Sequence, residues 1–327
     1  MVNLSYSFYN KIWLYILMLC ILALGLVYVY KKKIDPHLKP STEAFSQKEN
    51  FVVKYGDQSN DETYCANYEK IHKIKTHIPQ QIDLILKTTQ PSQDDTLLDI
   101  GSNTGYAVNE LTQRGYNVYG VTPLEPFVNY CNTKYPDALI KQGNIINPME
   151  YYKGVFTHIF ALYYTLYQYN REDKMKIFRN CYSWMKPGGY FIIHLVDVKK
   201  FDITTPIAKD PIFGSLQKQH KQNLSPSPSL PSPPRLTEYE VEFQDMTYKS
   251  SYNFNRLQTT GEVIIVETLK NKMDDKIRQN EKIQYMEPID QILQMASQCG
   301  FITKSILKLK EILDDEYQFL YIFERTL

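Results

Sequence analysis

Leu97-Leu98-Asp99-Ile100-Gly101-Ser102-Asn103-Thr104-Gly105 decides how this chain folds. The continuous apolar character of residues 96–100 marks a strand buried on both faces. The strand ends beside an acid and breaks into a glycine turn. A helix-like stretch, 106–114, follows and stops at Gly115. Strand, glycine turn and helix in that order present backbone N–H groups to a ligand at the carboxyl end of the strand.

The same rhythm continues on both sides. Upstream, residues 55–77 are polar and aromatic and partly helical. Tyr64, Tyr68, Ile71 and Lys75 share one face there, and Tyr64 and Tyr68 either close over a bound ligand or serve packing, tyrosine being abundant at 27. Residues 78–87 read as a helix with Pro79 at its start. Downstream, 117–121 is a second strand, and Pro126 opens a helix to about Lys134. A short third strand, 138–141, ends at Gln142-Gly143-Asn144, and a fourth spans 155–162. Asn170 caps a helix running through Met185, with Ile177, Phe178, Cys181 and Met185 on its inner face. Lys186-Pro187-Gly188-Gly189 is a sharp turn before a fifth strand, 190–196. Strands alternating with helices at this spacing predict an α/β fold with a doubly wound, mostly parallel sheet of seven strands.

The rhythm changes after the fifth strand. Residues 199–286 read as an insertion. It holds a low-complexity Ser/Pro tract, 225–234, and stretches at 238–254, 262–269 and 282–286 that alternate like antiparallel strands. Pro288 starts a helix that ends at Gly300. Residues 301–309 and 318–323 are two last strands, paired antiparallel at the sheet edge.

Two cofactor classes use a strand, glycine turn and helix. The dinucleotide pattern needs glycines at 101, 103 and 106, and positions 103 and 106 are Asn and Tyr. What stands here is an acid two residues before the first glycine, then Gly101-x-Asn103-x-Gly105. That resembles motif I of the class I S-adenosylmethionine-dependent methyltransferases, with Asn103 replacing the middle glycine. The second strand followed by Pro126, the Gly143-Asn144 turn, Met185-Lys186-Pro187-Gly188-Gly189 and the helix-then-hairpin ending extend the resemblance from about Tyr64 to the C-terminus. Phe156-Thr157-His158-Ile159 and His194-Leu195-Val196-Asp197, with Lys200-Phe201-Asp202, are also similar to methyltransferases of large DNA viruses.

The resemblance implies a Rossmann-like methyltransferase fold with S-adenosylmethionine as cofactor, and it assigns contacts residue by residue. Asp99 accepts from the cofactor's ammonium, while Gly101, Ser102, Asn103 and Gly105 let the backbone approach it. Thr122 stands where relatives carry an acid for the ribose hydroxyls. Glu125, three residues on, either reaches the ribose or caps the helix before Pro126. Asn144 matches the acid that bonds the adenine amino group, or is a turn residue after Gly143, and Ile145 would lie against the adenine. Ala161, Tyr163 and Tyr164 follow the fourth strand and line the reacting end. His194, in the fifth strand, is a satisfied core residue or, with Tyr164, a catalytic group acting as a general base near neutral pH.

Residues 12–30 are an uncharged, mostly apolar run of 19. At ~1.5 Å per residue they span about 28 Å, near the thickness of a bilayer core. Trp13, Tyr15, Tyr28 and Tyr30 sit near the ends, as interfacial aromatics do. Lys31, Lys32, Lys33 and Lys39 outweigh Lys11. A single-pass membrane protein with a cytoplasmic C-terminal body is expected; the competing reading, a cleaved signal peptide, is disfavoured by the length of the run and by Lys31-Lys32-Lys33 where a small-residue cleavage site would stand. The implied organisation is an anchor at 1–33, a tether at 34–50 and a methyltransferase-like domain at 51–327. Five scattered cysteines without a CxxC read as free thiols, and the six histidines show no metal-ligand spacing.

The chain carries 37 basic and 36 acidic side chains, so no field favours nucleic acid. Amino-methylating DNA enzymes of the resembled fold carry D/N-P-P-Y/F after the fourth strand. Ala161-Leu162-Tyr163-Tyr164 stands there, and the Pro-Cys of cytosine-5 chemistry is also missing. The expected function is a membrane-anchored S-adenosylmethionine-dependent methyltransferase acting on a small molecule, lipid or protein. The alternative, prompted by Asn103, Thr122 and Asn144, is a binding module or membrane scaffold that has lost turnover.

Overall fold

A computed structural model describes residues 51–209 and 237–326, with residues 18, 19, 21–23 and 25 besides. The chain divides into two units, 1–43 and 44–327. Of the first, the described residues are helical and exposed. Most of the apolar run at 12–30, the tether at 34–50 and the Ser/Pro tract at 225–234 lie outside the described residues. Among the described residues no helix is long and apolar enough to cross a membrane.

The second unit holds a seven-stranded sheet. Its strands are β2 (Thr96–Ile100), β3 (Asn117–Thr122), β4 (Leu139–Gln142), β5 (Phe156–Ala161), β6 (Met185–Val196), β11 (Phe301–Lys308) and β12 (Gln318–Arg325). They lie in the order β11-β12-β6-β5-β2-β3-β4. All neighbours pair in parallel except β12, which is antiparallel to both β6 and β11. β2 is therefore central, which explains its apolar run: Leu98 and Ile100 enter the core on one face and Leu97 the core on the other. Asp99 shares the face of Leu97.

Helices cover both faces. On the Leu97 side lie α1 (Glu62–Ile71), α2 (Ile74–Thr89), α3 (Tyr106–Gln113) and α4 (Glu125–Lys134). On the other side lie α5 (Arg171–Trp184) and α6 (Ile289–Gln298). Asn170 caps α5 by accepting from the Asp173 amide at 2.9 Å. Ile177, Phe178 and Cys181 are fully buried, as the spacing predicts.

Three local expectations are corrected. Lys73 is left-handed, with φ 46°, and separates α1 from α2, so Lys75 does not continue the face of Tyr64 and Tyr68. The second of these helices starts at Ile74, which puts Pro79 inside it rather than at its start. The 186–189 turn does not precede the fifth strand but is a bulge within β6. Met185 pairs with Phe156 and Tyr190 with His158, so the intervening residues loop out.

A second sheet, of five strands, is richer than the insertion suggests. Residues 238–254 form a hairpin, β7 (Glu238–Glu242) and β8 (Met246–Asn253), followed by β9 (Glu262–Asn271) and β10 (Ile277–Tyr285). β1 (Phe51–Tyr55), from the other end of the unit, adds to β10 in parallel. The buried face of β7, β8 and β9, including Tyr239, Val241, Tyr248, Val263 and Leu269, joins the core on the α5 side. An ion pair closes this junction. Lys174 of α5 is fully buried and donates to the Glu287 carboxylate and to the Tyr285 carbonyl at the end of β10.

Candidate active site

The turn after β2 is built from conformations that the sequence specifies. Gly101 and Gly105 have φ of 70° and 77°. Between them the Ser102 hydroxyl donates to the Asp99 carbonyl at 2.7 Å and accepts from the Val121 amide at 3.0 Å, pinning the turn to β3. The Gly101 and Ser102 amides both bond to the Val121 carbonyl, and the Gly105 amide to the Ser102 carbonyl. These three N–H groups are committed inside the turn. At these positions the glycines thus serve mainly by lacking a side chain.

A Cβ on Gly101 would lie 2.4 Å from Thr165 Cγ2, and one on Gly105 would lie 2.2 Å from Cys131 Sγ. Gly101→Ala is expected to cost ~2–4 kcal/mol, from left-handed strain plus overpacking. Urea unfolding reads the loss, and calorimetry reads weakened cofactor affinity.

Asp99, Gly101, Ser102, Asn103, Thr104 and Tyr163 line a cleft under α1 and α2. The Asp99 side chain is buried, and desolvation pushes its carboxyl up to about 7, partly opposed by Ser102. A buried acid facing a cleft, with no cation acting on it among the described residues, is the complement of an ammonium group. Asn103 is left-handed, with φ 45°, and its side-chain amide donates to the Tyr68 hydroxyl at 3.1 Å, closing α1 over the turn.

Beyond Tyr68, Asn103 and Tyr163, which border both spaces, opens a larger cavity of about 190 Å³. Tyr163 and Tyr164 follow β5 with φ of 55° and 62°. Consecutive left-handed tyrosines store ~1–3 kcal/mol each, and strain of this kind collects at functional sites. It turns both rings towards the cavity. The Tyr163 hydroxyl donates to the His72 carbonyl, and Tyr164 stacks on His194 with ring centroids 4.8 Å apart.

The hydrogen bonds set the tautomer of His194. Gln318 Nε2 donates to Asp315 at 2.8 Å, so Gln318 Oε1 is an acceptor. It receives the Tyr164 hydroxyl at 2.9 Å and His194 Nε2 at 3.0 Å. The proton therefore sits on Nε2, and the buried Nδ1 keeps its lone pair with no hydrogen-bond partner. Burial pushes His194 down to about 4, so at neutral pH the ring is uncharged.

The other predicted residues are more dispersed. Thr122 is buried at the end of β3, and its carbonyl accepts from the Gly143 amide. Glu125 is the exposed first residue of α4. Leu124, not Glu125, holds the N-cap position, with no side-chain cap. Asn144 is exposed, and its side-chain Oδ1 accepts from the Ile146 amide at 3.0 Å, as in a turn. Ile145 and Ala161 are buried in the core.

The cavity also gathers His72, Phe127, Tyr252, Glu267, Lys282 and Gln318, none of which was singled out from the sequence. A signal for Glu267 existed. The inward positions of β9 are Val263, Ile265, Glu267 and Leu269, and an acid interrupts the apolar series.

Known proteins agree with this architecture. Residues 98–193 match the family described as methyltransferase domain. The phosphoethanolamine N-methyltransferase of Plasmodium falciparum (isolate 3D7) is 28% identical over 112 residues, 33% of this chain. The matched part spans 42% of that relative's length. Among solved structures, the CcbJ methyltransferase from Streptomyces caelestis superposes with a TM-score of 0.57 at 14% identity, covering 77% of this chain and 90% of that one. CalS10, an S-adenosylmethionine-bound amino pentose methyltransferase from Micromonospora echinaspora, gives 0.55 at 11% identity over 79% and 96%. The chain has the Rossmann-like methyltransferase fold.

Proposed function

We propose that the chain is an S-adenosylmethionine-dependent methyltransferase whose acceptor, a small molecule, enters the cavity between α1, the β5 end and the second sheet. The observation that carries the reading is the shared wall: Tyr68, Asn103 and Tyr163 border both the Asp99 cleft and the larger cavity. Asp99 holds the cofactor's ammonium, and Gly101 and Gly105 permit its close approach. The cofactor supplies an activated methyl on a sulfonium. The chain's task is to align the acceptor and to exclude water. Tyr163 and Tyr164, set by their strained backbone, form the boundary at which acceptor and methyl meet. The inactive-module alternative is not favoured, because the glycine turn and the Asp99 carboxyl are intact.

The further resemblance to viral methyltransferases rests on sequence stretches alone. Residues 12–30 are proposed as a single membrane pass with the body on the cytoplasmic side, supported by their length and by the flanking lysines. Alkaline carbonate extraction of cell membranes tests this, since an anchored chain stays in the pellet. Transfer of labelled methyl into fractionated metabolite, lipid and protein pools tests the activity. Label in the metabolite pool is expected. Label confined to protein would overturn the small-molecule reading.

A further inference from the structure

A residue outside the larger cavity orders one of its walls. Asp315 lies in the segment before β12 and is 6% exposed. Its carboxylate accepts from the Asp202 amide at 2.8 Å, from the Tyr317 amide at 2.9 Å and from Gln318 Nε2 at 2.8 Å. The first bond ties down the chain after β6, whose Ile203, Thr204 and Thr205 line the cavity. The third fixes the side chain of Gln318, which is itself buried.

The Gln318 amide has two orientations, and they leave opposite chemistry at the cavity. With Nε2 towards Asp315, Oε1 receives the Tyr164 hydroxyl and His194 Nε2. The Tyr164 proton is then spent inside the protein, and its oxygen keeps a lone pair for the cavity that Tyr164 lines. Reversed, Nε2 would donate to the Tyr164 oxygen and to His194 Nε2. The Tyr164 proton would be released to the cavity, and the His194 proton would move to Nδ1, which is buried without a partner. A buried N–H without an acceptor is costly, and Oε1 would then face a carboxylate, which offers acceptors only. Asp315 therefore selects the first orientation. The neighbouring Tyr163 spends its proton in the same way, on the His72 carbonyl.

We propose that Asp315 is a positioning residue for methyl transfer: acting through Gln318, it sets the Tyr164 oxygen as a hydrogen-bond acceptor at the cavity, where it holds an O–H or N–H donor of the methyl acceptor. This rests on the methyltransferase reading above. The selection is for a donor and not for a charge, since the Lys282 ammonium lies 3.0 Å from the Glu267 carboxylate and the two balance in the same cavity.

The test uses the full-length chain in detergent. Calorimetry with S-adenosylmethionine comes first, and failure of the wild type to bind it overturns the methyltransferase reading, whereas the probes that follow need no cofactor. Phenol and fluorobenzene, rings of similar bulk with and without a donor, are titrated by ligand-observed NMR. The phenol-to-fluorobenzene affinity ratio is expected to fall about fivefold in Asp315→Asn, which lets Gln318 take either orientation, and in Tyr164→Phe, which keeps the ring and removes the oxygen. Asp315→Asn combined with Gln318→Glu puts an acceptor-only group back beside Tyr164 and should restore the ratio. Nitrogen NMR of labelled imidazole rings reads the positioning directly. The His194 signal, assigned by its loss in His194→Gln, should show the proton on Nε2 in the wild type and a mixture of tautomers in Asp315→Asn. Labelled methyl transfer to the metabolite pool should fall about fivefold in Asp315→Asn and recover in the double variant, with cofactor affinity unchanged. A ratio that survives Asp315→Asn or Tyr164→Phe, or a wild-type His194 proton on Nδ1, would overturn the proposal with cofactor binding intact. Should Asp315→Asn fail to fold, Tyr164→Phe and the wild-type His194 spectrum decide it.

Discussion

Asp99→Asn is expected to stabilise the cofactor-free protein at pH 8 while weakening cofactor binding by ~10–100-fold, the worth of a lost charge-assisted hydrogen bond. Asp99 is 3% exposed, and burial raises its carboxyl from the ordinary 3.8 to about 7. The folded chain therefore holds this proton more tightly than the unfolded chain. Stability from this group is full below the unfolded value, falls as pH rises from there to about 7, and is flat above it. At about 1.36 kcal/mol per tenfold step, the ionised carboxylate burdens the empty fold by up to ~4 kcal/mol at pH 8. The amide escapes that cost but gives the cofactor's ammonium no counter-charge. Thermal unfolding should show the variant's advantage widening from pH 5 to pH 8. Wild-type cofactor affinity should rise roughly tenfold from pH 6 to pH 7.5, following ionisation of Asp99, while the variant's stays level. A variant less stable than wild type at pH 8, or one with unchanged cofactor affinity, would remove Asp99 from its assigned role.

Glu287→Gln is expected to cost ~3–5 kcal/mol of stability, because it strands the Lys174 ammonium in the interior. Lys174 is fully buried, and burial pushes it down to about 8 despite its partner. Replacing both residues, as Lys174→Met with Glu287→Met, removes the uncompensated charge and is expected to recover most of the loss. Urea unfolding measures both variants. The functional consequence follows from position. The pair ties α5 to the end of β10, the strand that carries Lys282 beside Glu267, so the single variant should also lose acceptor affinity. The double variant should regain it. A single variant within ~1 kcal/mol of wild type would mean that the clamp is weak, as exposed pairs are.

Much of the fold was legible because its signals are local. The apolar run of β2, the amphipathic face of α5 and the Asn170 cap each depend on a few adjacent residues. The errors fell where a distant partner decides. β1 has only five residues and becomes a strand through β10, more than two hundred positions away. Lys73 adopts a left-handed conformation that its side chain does not favour, so nothing local marked the break between α1 and α2. Glu125 and Asn144 each had a ligand role and a local role open to them. Asn144 is seen as a turn residue, while Glu125 is neither a cap nor part of either cavity wall.

By itself the sequence determined the central strand, the glycine turn and the order of strands and helices, and through them the local part of the proposed cofactor site. Backbone conformation and hydrophobic period are short-range properties, and the cleft proposed for the methyl donor is built largely by them. Only the tertiary structure decided which residues line the larger cavity. Tyr64 and Glu267 are 203 residues apart and share a hydrogen bond. The cavity they line exists because α1 and the second sheet, from opposite ends of the unit, close over the turn after β2. A carboxylate in a strand reads as surface until the packing buries it and brings the Lys282 ammonium and two tyrosine hydroxyls against it.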